Sequence, residues 1–292
     1  KKIALLLLIS AVVLAPFDAA LACDESPTTI YVNQTGWWRD PEAFNQSSIP
    51  IQHAINNATE GDTIIVKDGI YTDNVDVKKR LTIKSENGSE SAIAQAKNGD
   101  HVFEVTADYV TISGFTVQNA TGEGSAGIHI EHADHCTITN NTALNNDYGI
   151  YIHDSSTHNT IMNNTASNNQ DDGFHLWLSI NNNISGNTAS NNQDDGFHLL
   201  HSINNNISGN TASNNQYGFY LHESSNNHIY NNYFNNTENA YDDTYDDKDK
   251  ANIWNISKTP GKNIVGGSFL GGNYWSDYTG TCLLYTSDAA DE

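Results

Sequence analysis

A block of glycine, an aromatic residue or isoleucine, a variable residue, then isoleucine or leucine returns five times in this chain. It reads Gly127-Ile128-His129-Ile130, Gly149-Ile150-Tyr151-Ile152, Gly173-Phe174-His175-Leu176, Gly196-Phe197-His198-Leu199 and Gly218-Phe219-Tyr220-Leu221, at steps of 22, 24, 23 and 22 residues. A second anchor keeps the same phase at Ile138, Ile161, Ile184, Ile207 and Ile229, and three positions after each stands Asn141, Asn164, Asn187, Asn210 or Asn232. A unit this short cannot bury a core alone, and its apolar residues alternate with polar ones as in strands. Stacked coils solve the problem, because each strand pairs with its equivalent in the next coil about 4.8 Å away. The expected fold is all-β: a right-handed, single-stranded parallel β-helix of roughly nine or ten coils, about 23 residues each.

In such a solenoid Ile128, Ile150, Phe174, Phe197 and Phe219 form one dry inner column. The asparagine column suits it, since an amide donates to and accepts from the next coil's amide and tolerates a left-handed turn. Glycine before each strand is expected to serve the same bend. Thr142-Ala143, Thr165-Ala166, Thr188-Ala189 and Thr211-Ala212 give a third face of small residues. A leucine-rich repeat has a similar period but needs a leucine framework that is absent here. Open ends of a β-helix require covering. Residues 48–58, with Ser48 as N-cap and Ile51, Ala54, Ile55 and Ala58 on one face, read as a short N-terminal capping helix. The strands Thr63 to Val66, Leu81 to Lys84, Val102 to Val105 and Val110 to Ile112 then begin the less regular coils.

Lys1 and Lys2, the apolar run Ile3 to Ala15 and the small residues Ala19 to Ala22 have the parts of a secretory signal. The run is broken by Pro16 and Asp18 and is short for a bilayer of about 30 Å, so an exported chain is expected and not a membrane-spanning one. The organisation that follows is residues 1–22 as signal peptide, 23–60 as N-terminal segment with the capping helix, 61–280 as β-helix, and 281–292 as a tail outside the repeat. Cys23 directly after the small-residue stretch also raises a lipid-modified N-terminus. Cys23, Cys136 and Cys282 are too few and scattered for a disulfide framework.

The chain carries 13 basic and 35 acidic residues, and between Lys97 and Lys248 there is no Lys or Arg. Nucleic acid and anionic lipid need a cationic face and are excluded as partners of the repeat region. Cations, neutral sugars and other proteins remain. Sequons begin at Asn33, Asn45, Asn57, Asn87, Asn119, Asn140, Asn163, Asn183, Asn206, Asn235 and Asn255, so N-glycans are a second expectation for an exported chain, set against their use as turn residues.

Ile51-Gln52-His53-Ala54-Ile55, Gly61-Asp62-Thr63-Ile64-Ile65-Val66, Gly69-Ile70-Tyr71, the glycine-aromatic coils and the closing Gly272-Asn273-Tyr274-Trp275-Ser276-Asp277-Tyr278 resemble the NosD-type β-helix family over residues 30 to 280. That resemblance implies the pectin-lyase-like superfamily and the label of periplasmic copper-binding, carbohydrate-binding and sugar-hydrolysis domains. Bacterial members help supply copper to nitrous oxide reductase, and similar chains are abundant as archaeal surface proteins. Fold follows from such a likeness more firmly than activity does.

With the residues one and three after each glycine inward, those two and four after it face outward. The outer columns read His129, Tyr151, His175, His198, Tyr220 and Glu131, His153, Trp177, Leu200, His222. Histidines on adjacent strands can close on one ion, imidazole suits copper, and His175, His198, His129 and His153 are the candidate ligands. The alternative is a ladder of neutral rings on a solvated strand. His129, His132, His135 and Cys136 form a denser group in sequence, split between faces by its odd spacing. Asp171, Asp172, Asp194 and Asp195 stack at the turn entering the stripe, either solvated or bridged by a cation such as calcium. Asp242, Asp243, Asp246, Asp247 and Asp249 form a further acidic loop without a ligand pattern. Asp172 and Asp195 also raise a polysaccharide hydrolase, lyase or epimerase. Against it stand their origin in repeat identity, the lack of Lys or Arg to hold a uronate, and unbroken coils with no cleft. The exposed rings Tyr151, Trp177 and Tyr220 suit polysaccharide by stacking. The expected protein is a non-catalytic periplasmic or cell-surface binder of metal or carbohydrate, with a structural cell-surface glycoprotein as the alternative.

Overall fold

The structure, a computed structural model, describes residues 27–244 and 250–278. The signal segment, Cys23, Asp246, Asp247, Asp249 and the tail 281–292 lie outside the described residues.

Three parallel sheets wrap one core, each strand pairing with its counterpart one coil away. In the first sheet Ile138, Ile161, Ile184, Ile207 and Ile229 lie in register. In the second the alanines Ala143, Ala166, Ala189 and Ala212 do so. In the third the series is Ile128, Ile150, Phe174, Phe197, Phe219. All these side chains are buried. The phenylalanines stack face to face, 4.7 Å apart at 6° for Phe174 and Phe197 and 4.6 Å at 24° for Phe197 and Phe219. The repeat phasing therefore holds. The third sheet has eight strands, so the coils number about eight and not nine or ten. Among the described residues the chain beyond Glu238–Asp242 returns only as Tyr274–Trp275 on the second sheet and a single bridge from Ile253 to the first.

At the other end Thr29–Asn33 pairs parallel with Thr63–Val66 and antiparallel with Gly36–Arg39, which in turn pairs Asn45–Gln46. The helix spans Pro50–Asn57 and buries Ile51, Ala54 and Ile55. Its N-cap is Ile49 and not Ser48, because proline takes the first helical position. The hydroxyl of Ser47 accepts the Ile49 N–H at 3.0 Å.

Asparagine does two separate jobs. The ladder residues are buried except half-buried Asn236, and the described residues form three ladders where the sequence pointed to one. Asn141, Asn164, Asn187, Asn210, Asn232 and Asn273 form the first. Asn146, Asn169, Asn192, Asn215 and Asn236 form the second, and Asn159, Asn182, Asn205, Asn227 and Asn252 the third. Positive φ belongs to different residues, such as Asn140 (φ 56°), Asn163 (φ 55°) and, in the same turn of later coils, Gly186 (φ 66°) and Gly209 (φ 68°). The repeat glycines are likewise not there for a left-handed bend. A Cβ on Gly149 would lie 2.4 Å from the Gly173 carbonyl oxygen and 3.0 Å from the Asn169 amide, so glycine is required for close coil approach.

Near the N-terminal end, fully buried Asp62 accepts hydrogen bonds from the N–H groups of Thr28 and Thr59 and an ion pair from Arg39 at 2.9 Å. Burial raises its carboxyl, but these donors outweigh it and bring the pKa from 3.8 to about 2. A depressed acid stabilises the fold above its unfolded value and loses that contribution as pH falls through the folded one. Between about pH 4 and 2, then, wild type should lose roughly 2 kcal/mol that Asp62→Asn does not. Chemical denaturation across that window checks it; parallel pH profiles would refute the assignment.

Candidate functional site

The site lies on the outer face of the third sheet, on strands Tyr148–His153, Phe174–Trp177, Asp195–Leu200 and Tyr217–His222. Alternation turns Phe174 and Leu176 into the core and His175 outward, and parallel register sets His175 beside His198 with ring centroids 4.5 Å apart. The bend at Gly173 brings the preceding Asp172 round to the same face. Its Oδ2 lies 2.7 Å from His175 Nδ1 and 3.0 Å from His198 Nδ1, and its Oδ1 accepts the Asp195 N–H at 3.0 Å. Asp172 and His175 are buried, and His198 is partly so.

Burial alone would raise the Asp172 carboxyl, but the hydrogen bonds from His175 and His198 more than offset it, and its pKa falls below the ordinary value. Asp195 has the opposite fate. Burial, then the negative charges of Asp172, Asp194 and Asp171, push it up to about 9. Its Oδ2 is 3.5 Å from His198 Nδ1 and its Oδ1 is buried without a partner. These two aspartates are thus no solvated turn, as the repeat pattern alone allowed, because both are buried beside the imidazoles. Asp171 and Asp194 remain nearer the solvent. Burial and neighbouring carboxylates raise both, Asp171 to about 6.

One oxygen or nitrogen each from Asp172, His175 and His198 lies within 4.8 Å of the others, and Asp171, Asp172 and Asp194 meet the same condition. The first set offers two imidazoles and a carboxylate, donors for copper or zinc. The second offers oxygens alone, the choice of calcium.

His129 and His153 do not join either set. His129 is buried and stacks on His101 at 4.3 Å and 16°, so the ring lone pairs of the two run side by side without converging. Burial, then His101 and His153, lower its pKa to about 3, and neither ring nitrogen has a partner. His153 stacks on Trp177 at 4.7 Å, and its Nδ1 is 3.9 Å from Glu131. Of the sugar-platform residues, Tyr151 is 8% exposed and not open as expected, because Tyr148, His153 and His175 pack around it. Trp177 and Tyr220 are half-buried, and Tyr220 stacks on exposed Tyr241 at 4.7 Å and 13°. The group His132, His135, Cys136 is split as its spacing required: His132 Nε2 meets Asp154 at 3.0 Å, His135 stacks between Tyr109 and His158, and the Cys136 thiol is buried.

Tyr148 and Tyr217 escaped the sequence reading. They precede Gly149 and Gly218 as Asp172 and Asp195 precede Gly173 and Gly196, and that shared position was the available signal. Two aspartate-histidine coils are therefore flanked on either side by a tyrosine pair, Tyr148 with Tyr151 and Tyr217 with Tyr220. Beside the second pair an open concavity of about 380 Å³ is lined by Asp194, Asp195, His198, Gln216, Tyr217 and Tyr220.

The family model described as "Periplasmic copper-binding protein (NosD)" matches residues 55–280. A "Cell surface glycoprotein" of Methanothermus fervidus is 41% identical over 99 residues, which is 32% of this chain and 15% of that protein. The chain thus spans a small part of that relative's length. Among solved structures, the catalytic domain of a GH87 α-1,3-glucanase in complex with tetrasaccharides superimposes with TM-score 0.58 and 20% identity, covering 75% of this chain and 41% of that one. A pectate lyase does so with TM-score 0.51 and 18% identity, covering 74% and 77%. At such identities the likeness is one of fold.

Proposed function

The chain belongs to the periplasmic copper-binding protein (NosD) family, and from that premise we propose that it is an extracytoplasmic binding protein holding a divalent transition metal, copper foremost, on Asp172, His175 and His198. The observation that carries this is the shared carboxylate oxygen between two imidazole nitrogens at 2.7 and 3.0 Å. Three donors already gathered around one point cost little to reorganise. Residues 98–247 contribute no Lys or Arg, so a metal ion supplies the positive charge that this face of carboxylates lacks. Copper follows from the imidazole content and from the order of divalent affinities. Bound there, it would replace the protons that the imidazoles direct at Asp172.

Isothermal titration with Cu(II), and its electron paramagnetic resonance spectrum, test the reading. Wild type should bind one equivalent with nitrogen hyperfine structure, and His175→Ala/His198→Ala should lose it. Equal binding by both proteins would end the metal reading.

A second reading, polysaccharide binding, draws on the tyrosine pairs and on a fold shared with proteins that act on sugars. Binding without catalysis is favoured, since both oxygens of Asp172 are already engaged and none is left to activate water. The cell-surface glycoprotein relative supports an envelope location, and no helix of the described residues is long and apolar enough to cross a membrane.

A further inference from the structure

The concavity beside His198 combines features that the metal reading does not use. Asp195 is 3% exposed, yet its Oδ1 has no hydrogen-bond partner and the residue lines the hollow. A buried polar atom left in this state costs free energy unless a ligand completes it. Tyr217 and Tyr220 stand nearly at right angles, 5.2 Å between centroids at 68°, and make an aromatic corner above it. Asp194 and Gln216 line the same hollow. The walls therefore offer two rings, acidic acceptors and an amide, and no ammonium or guanidinium of their own.

From this we infer that the hollow takes a hexosamine unit of a polysaccharide through its free ammonium group, with the sugar ring against Tyr217 and Tyr220 and the ammonium donating to the Asp194 carboxylate and to the unpartnered Oδ1 of Asp195. The inference rests on the sugar-binding reading and narrows it to cationic sugars. Uronates, the acidic sugars, meet the like charge of Asp194 here and are rejected. A lysine-rich peptide fits less well. Ring centroids on successive coils lie 4.5 to 5.0 Å apart, whereas same-face side chains of an extended peptide recur at about 6.8 Å. The coil repeat is comparable with the rise of an extended pyranose chain.

Calorimetry in metal-chelating buffer, with the full chain, keeps the outcome independent of copper. The probes are a glucosamine tetramer, its fully N-acetylated counterpart, a galacturonate tetramer and an oligolysine of equal charge. The glucosamine tetramer should bind at least about tenfold more tightly than the acetylated one, more weakly as salt rises, with no binding of galacturonate. Tyr220→Ala and Asp194→Asn should each weaken it about tenfold while thermal melts show both folded. Equal affinity for the acetylated tetramer would overturn the cationic assignment and leave sugar binding standing. Oligolysine binding as tight as glucosamine would overturn the hexosamine assignment, and no binding of any sugar would overturn both.

Discussion

Replacing Asn187 with leucine is expected to lower the thermal midpoint by roughly 10 °C or more. Asn187 sits in the middle of the first ladder. Its Oδ1 accepts the Asn164 N–H at 2.9 Å and the Asn164 side-chain amide at 3.1 Å. Its Nδ2 donates to the Ile161 carbonyl at 2.8 Å and to Asn210 Oδ1 at 3.1 Å. Leucine has the same branched outline, is bulkier, and would satisfy none of these. Four hydrogen bonds to buried groups on the two neighbouring coils would be lost where water does not reach, at about 1 kcal/mol each. The sum, on the order of 4 kcal/mol, is a large part of the stability of an ordinary domain. In a stack whose coils touch only their neighbours, a break there also uncouples the two halves. The control is Asn163→Gly, at an exposed turn position with φ 55° whose equivalent in the next coil is already Gly186. It should change the midpoint little. Calorimetric melts of the two variants compare them directly, and similar melts would mean the ladder is packing filler.

A second large effect is expected from Asp172→Asn. The carboxylate is the common acceptor of both imidazole Nδ1 atoms, and an amide presents at most one oxygen and two unwanted donors in the same space. In metal-free protein the variant should be less stable by about 3 kcal/mol, since charge-assisted hydrogen bonds to a buried group are lost. Copper affinity should fall by at least the roughly 10–100-fold that loss of an outer-shell partner costs, because here the lost group is itself a ligand. His175→Ala/His198→Ala loses the same two bonds and leaves the buried Asp172 carboxylate with its Asp195 N–H donor alone, so it should be destabilised as well, and copper affinity is compared only between variants that melts show to be folded. Wild-type copper affinity in a folded Asp172→Asn protein would remove the carboxylate from the site.

The coil period, the inward columns of Phe174, Phe197 and Phe219, and the pairing of His175 with His198 were all legible in the sequence, for one reason. A repeat that keeps its phase leaves its equivalent side chains no other place than over one another. The acidic turn and the histidine stripe were each visible too, but as two features. That the two adjoin followed from their spacing, but that Asp172 bonds both imidazoles was not legible, because it depends on how far the chain bends at Gly173, and the repeat fixes the order of residues along a coil without fixing that angle. The same bend decided that Asp172 is buried.

Burial on the outer face was equally hidden. Alternation assigns Tyr151 and His129 to the outside, and that assignment stands, yet Tyr148, His153 and His101 cover them. Side chains on neighbouring coils shield one another in ways that period two does not encode. The one ladder read from Asn141 onward became three, since Asn146 and Asn159 begin series with the same period and the sequence shows only that asparagine is abundant. Repetition along the chain thus determined the fold and the columns. Contact between columns, set by local bends and by the volume of neighbouring rings, decided which residues form the site.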